Sequence, residues 1–158
     1  MSRQFDEVVT PHFGLSVCGP VLIQHWERGT PLEGAQRACD LASQLGRSGM
    51  PRTASIVVVP PQSALPDSAT RKELARLPKL LGPIVGFGMA HEGSGFRASA
   101  VRGVLTGIIL MTRADYEHEV FANVIAAADW LGERLQGDLT ASELIDGVAE
   151  LRRKVLRV

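Results

Sequence analysis

The chain has 158 residues, a length that fits one domain and lets about 70% of the unfolded surface be buried. Lys plus Arg and Asp plus Glu number 17 each, which excludes a general field attracting nucleic acid or an anionic membrane, so any charged partner must be read locally. The two cysteines, Cys18 and Cys39, lie far apart without metal-type spacing, as suits small apolar residues in a reducing compartment. The N-terminal residues carry the acid pair Asp6-Glu7 where a signal peptide needs an apolar core. No run approaches the roughly 20 apolar residues of a membrane span. These features set the expectation of a soluble, cytoplasmic protein.

Residues 1–11 read as a fraying lead-in ended by Pro11. Strand-like content over His12–Val17 and Val21–Trp26, separated by Cys18, Gly19 and Pro20, predicts a β-hairpin. Thr30-Pro31-Leu32-Glu33 offers a capping threonine, proline at the first helical position and glutamate at the third. Helical spacing then continues through Leu45 and stops over Gly46 to Pro51. The β-branched run in Thr53–Val59 predicts a buried central strand. After Pro60-Pro61, either Asp67 or Ser68 can cap a helix whose late Pro78 must kink it or end it early.

The stretch from Pro83 to Arg113 holds a strand, a glycine-bearing loop and a long apolar helix. Gly86 and Gly88 clear one face of the strand, so a helix or ligand can come close there. In the helix, Val101, Val104, Leu105, Ile108 and Met111 form the expected buried stripe. Ser99, Gly103 and Gly107 form a line of small residues that invites close packing. Glu119–Ala122 predicts a last strand, Asn123 caps a helix through Leu135, and Thr140 with Glu143 starts a C-terminal helix. The fold expected is α/β: one mixed, mostly parallel sheet of about five strands, with an N-terminal hairpin and an extra C-terminal helix. The division expected is a domain over residues 1–136 and a C-terminal helix over 137–158 that packs on the domain or on a partner.

Two local matches carry a family resemblance. The strand Ile56–Val59 is followed, after a loop, by Asp67-Ser68-Ala69-Thr70, and a short strand runs into a helix over residues 120–128, VFANVIAAA. In this order of elements, over residues of about 12 to 135, the chain resembles the STAS domain of the bacterial anti-sigma factor antagonists. That resemblance implies a STAS-like sandwich and a non-catalytic regulatory or scaffold role in signalling, exercised through protein partners that include a kinase. Ser68 stands at the position the family phosphorylates. Val59 replaces the family's usual Asp and Thr70 its Gly, which makes the chain similar to divergent members without the switch.

The residues themselves offer three places for function. A phosphate on Ser68 would meet the free amides of a helix start, whereas the simpler role of Asp67-Ser68 is capping. Glu92, Ser94, Gly95 and Arg97 form a loop able to aim amides and a cation at an anion, at the rim where open α/β sheets bind ligands. It matches neither the dinucleotide fingerprint nor the phosphate loop. This makes a small apolar or anionic ligand at the 84–97 strand-loop-helix rim the alternative function. The narrow stripe Leu144, Val148, Leu151 and Val155 is a candidate interface, including that of a homodimer.

His12, His25, His91 and His118 have no ligand spacing, no metal or cofactor is expected, and no nucleophile elbow occurs. An enzyme would require His91, Glu92 and Arg97 to share one cleft. The sparse aromatics, Trp26 and Trp130 among them, argue against nucleic-acid binding.

Overall fold

The computed structural model describes residues 5–111 and 115–158. Its elements are β1 (Val8–Val9), β2 (Gly14–Cys18), β3 (Val21–His25), α1 (Leu32–Gly46), β4 (Thr53–Val59), α2 (Ser68–Leu74), α3 (Leu77–Leu80), β5 (Ile84–His91), α4 (Phe96–Met111), β6 (His118–Phe121), α5 (Val124–Leu135) and α6 (Ala141–Arg157). The six strands form one sheet in chain order from β1 to β6. Pairing is antiparallel from β1 to β3 and parallel from β3 to β6. The expected α/β class and mixed, mostly parallel sheet are therefore present, with one strand more than the sequence suggests.

That extra strand corrects the reading of residues 1–11 as a lead-in. Val8 pairs with Leu15 and Val9 with Gly14. Thr10 turns the chain between them, its hydroxyl oxygen accepting from the Phe13 amide at 2.9 Å. Two β-branched residues suffice because β2 offers an open hydrogen-bonding edge. In the hairpin that follows, Cys18 pairs with Val21. Gly19 takes the positive φ of 55° that such a two-residue turn requires.

Strands running consecutively across a sheet, with crossovers of one hand, place their connecting helices on one face. Ala38, Ala42 and Leu45 of α1, Leu77 of α3 and Leu81 just after it accordingly bury with Leu22 and Val57. The α5 and α6 residues Leu131, Leu135, Leu144 and Leu151 bury with Ile23, Ile56 and Ala90 on the other. Leu144, Val148, Leu151 and Val155 are all buried within the chain, and α6 lies against β1, β2 and β3. This corrects the reading of that stripe as an interface: the sheet of the same chain covers it, and residues 137–158 complete the domain.

Several helix boundaries follow their local chemistry. Asp67, Asn123 and Thr140 accept from the amides of Thr70, Ala126 and Glu143, and Thr140 with Glu143 forms the full capping box. Thr30 does not cap α1. That helix begins at Leu32, so Pro31 holds the cap position and no side chain accepts there. Its first turn is instead seated on Trp26, whose Cζ3 would lie 2.8 Å from a Cβ on Gly34. Pro78 separates the expected single helix into α2 and α3, and sits in the first turn of α3, where its missing N–H costs little. Cys39 Sγ donates to Glu73 O at 3.3 Å, joining α1 to α2. Burial pushes its thiol up to about 12, so it stays protonated at neutral pH.

Glycines separate tight contacts from open ones. A Cβ on Gly46 would stand 2.0 Å from the Leu80 carbonyl oxygen, a backbone atom that cannot swing aside. A Cβ on Gly103 would meet nothing within 4 Å, which corrects the expected close packing along the Ser99 and Gly103 line. Gly107, with Val104, Ile108 and Met111, lies outside the described side chains. Gly46→Ala should therefore destabilise the fold by about 3 kcal/mol, whereas Gly103→Ala should stabilise it by about 0.5–1 kcal/mol through helix propensity. Urea denaturation of the two variants checks both signs.

Candidate functional site

Strand β5 reads Gly86-Phe87-Gly88-Met89-Ala90, so its small residues share one face and its large residues the other. α5 takes the small face: a Cβ on Gly86 would lie 2.9 Å from Leu131 Cδ2 and 3.1 Å from Trp130 Cζ3. On the other face, Phe87 and Met89 stand among Trp26, Val57 and Val59 as the floor of an apolar cavity of about 500 Å³. Leu74, Leu77 and Pro78 wall one side of it. Arg97, Val101 and Leu105 of α4 wall the other.

Val101 and Leu105 were expected in the core, yet both are only half-buried. Phe87 and Met89 line the same cavity as these α4 residues, so this part of the apolar stripe of α4 borders open space. Tyr116 closes the lower end, its ring 6.2 Å from Phe87 and 5.6 Å from His118 between centroids. Burial raises the Tyr116 phenol above its ordinary value, so it remains a neutral hydroxyl.

The 92–97 loop does not converge on one point. The Glu92 amide donates to Val59 O at 2.8 Å, and its carboxylate accepts from Arg152 Nη2 of α6 at 2.6 Å. Arg97 lines the cavity on the opposite side of the sheet. Ser94 and Gly95 lie exposed between them, with Gly95 at a φ of 90°. Arg102 fastens the loop from behind, Nη1 donating to His91 O at 3.1 Å and to Gly93 O at 3.2 Å. The four loop residues therefore form no single anion cradle, and His91, Glu92 and Arg97 are not gathered in one cleft.

Glu92 and Arg152 instead border a second groove of about 580 Å³ between the start of α5 and the end of α6, where Ile125 and Leu156 are exposed. Sequence reasoning missed Arg102 and Arg152. Neither has a sequence neighbour that signals its partner, since Glu92 and Arg152 are 60 positions apart.

Beneath that groove His25 is fully buried at the end of β3. Its Nε2 lies 2.6 Å from Glu27 Oε2, and its Nδ1 has no partner. Gln62 Nε2 donates to the other Glu27 oxygen at 2.8 Å. Burial lowers the His25 pKa, and Arg152 adds to the lowering, while the Glu27 hydrogen bond opposes both. His91 is lowered by burial and by Arg102. Among the described residues no group of three or more His, Cys, Asp or Glu is placed to hold a metal ion.

Ser68 is exposed as the first residue of α2, and the Asp67 carboxylate already accepts the Thr70 amide at 2.8 Å. Thr70, where the STAS pattern has Gly, is buried. No helix among the described residues is long and apolar enough to cross a membrane. The chain matches no family model, no curated protein and no solved structure.

His25 makes stability depend on pH in a definite direction. Its folded pKa lies below the ordinary 6.5, so below that value the unfolded chain binds more protons and stability falls with pH. The urea midpoint should drop between about pH 7.5 and about pH 5.5. His25→Gln should make that slope shallower, and adding His91→Gln shallower still. An unchanged slope in the double variant would show that neither histidine resists protonation.

Proposed function

We propose that this chain is a binding domain that takes up a small apolar molecule between its sheet and α4. The observation that carries this reading is the cavity itself: about 500 Å³ lined largely by apolar strand and helix residues. Drug-sized ligands occupy clefts of roughly 300–1,000 Å³ lined in this way. An unfilled apolar space of this size deprives its walls of dispersion contacts, and an apolar guest restores them.

A regulatory role, as the STAS-like order of elements implies, is served on this reading by occupancy of the cavity. Ser68 is less suited to carry it, because a phosphate there would stand beside the Asp67 carboxylate. Scaffolding through the α6 stripe loses its surface, since those residues are buried in the same chain.

The neutral dye N-phenyl-1-naphthylamine tests the proposal. The wild-type chain should bind it with enhanced fluorescence, and Val101→Trp, which fills the cavity from α4, should weaken binding by about tenfold or more. Ile125→Asp, in the groove on the other face, should leave it unchanged. Absence of dye binding, or binding indifferent to Val101→Trp with circular dichroism intact, would falsify the assignment.

A further inference from the structure

We infer that the molecule held in this cavity is an amphipathic anion, with its headgroup at Arg97 and its apolar body running down the sheet toward Phe87 and Leu105. The inference rests on the cavity being a binding site and adds the chemical class of its occupant.

Charge around the cavity is one-sided. Among the described residues its lining includes Arg71, Arg97 and His118 and no Asp or Glu. Of the polar groups in the lining, Arg71, His118 and Gln24 are engaged with the protein. Arg71 Nη1 donates to Pro66 O at 2.9 Å, and Arg71 also faces the neighbouring Asp67 carboxylate. His118 Nδ1 lies 3.2 Å from Tyr116 O, and Gln24 Nε2 donates to Ser55 Oγ at 2.9 Å. Arg97 makes no hydrogen bond or ion pair among the described residues. The acid closest in sequence offers it nothing: Glu92 is turned through the sheet edge to Arg152. Arg97 is exposed at the mouth of the cavity, so water screens its charge, and what it adds is the two-pronged geometry in which a guanidinium receives a carboxylate.

The layout sets the orientation. Arg97 lies in the first turn of α4, at the end of the sheet where the parallel strands finish. Leu105 comes eight residues later, on the order of 12 Å along the helix axis. Trp26 and Val59 form the layer of floor nearest that end, with Gln24, Val57 and Met89 in register one layer below, about 7 Å further in, and Phe87 beyond them. A headgroup at Arg97 is thus wet on one side. A tail lying over Met89 and then Phe87 exchanges water for apolar contact along its whole length.

Displacement of N-phenyl-1-naphthylamine by decanoate and by decanol tests the class, since the two probes share a tail and differ in charge. Decanoate should displace the dye at a concentration about tenfold lower than decanol. Arg97→Gln should abolish that difference by weakening decanoate while leaving decanol unchanged. Arg153→Gln, an exposed arginine on α6, should have no effect. Equal displacement by both probes in the wild type overturns the inference and leaves the cavity as a neutral apolar site. A decanoate preference that survives Arg97→Gln and is lost in Arg71→Gln overturns the assignment to Arg97. If the dye binds and neither probe displaces it, the amphipathic class is wrong. If the dye itself does not bind, the binding reading fails with it.

Discussion

The contact between Leu131 of α5 and the bare backbone of Gly86 is the one on which the two halves of this molecule depend. Side chains alternate along a strand, so a strand that spends Gly86, Gly88 and Ala90 on one face must place Phe87 and Met89 on the other. The first face accepts a helix at close range. Trp130 comes down with it, its ring tilted at 57° to Phe121 with centroids 5.7 Å apart, and carries Arg134 over its ring at 3.8 Å. The second face presents two large side chains on the side of Val101 and Leu105 of α4, and the space between them is the cavity.

Polar chemistry divides between the two faces in the same way. On the α6 side, Arg152 spans to Glu92 while His25, Glu27 and Gln62 join the end of β3 to the loop after β4. These partly buried pairs are weak evidence of stability, since desolvation offsets much of their attraction, but they fix where α6 and the loops sit relative to the strand ends. They also draw Glu92 away from Arg97. On the α4 side no carboxylate joins the lining among the described residues, and Arg97 stands exposed at the rim.

Much of this architecture is legible in the linear chain, because it rests on short-range rules. The run Ile56-Val57-Val58-Val59, the caps at Asp67, Asn123 and Thr140, the break at Pro78 and the hairpin at Gly19 are decided within a few residues by sterics and by local hydrogen bonding. The stripe Leu144, Val148, Leu151 and Val155 shows in the same way that the last helix must be covered. What covers it does not show, because apolar periodicity carries no address.

The site was legible only in part, for the same reason. The alternation of glycine with Phe87 and Met89 is visible in sequence, and so is the placement of Arg97 at a strand-to-helix rim. The residues themselves thus determined the α/β class, most helix starts and the existence of one bare and one crowded strand face. Only the tertiary structure decided that α5 takes the bare face, that α6 is covered by its own sheet, that Glu92 pairs across 60 positions with Arg152, and that Val101 and Leu105 line a cavity where their periodicity suggests core. Each of those outcomes depends on which surfaces meet, and chain order specifies that only through the packing of the whole.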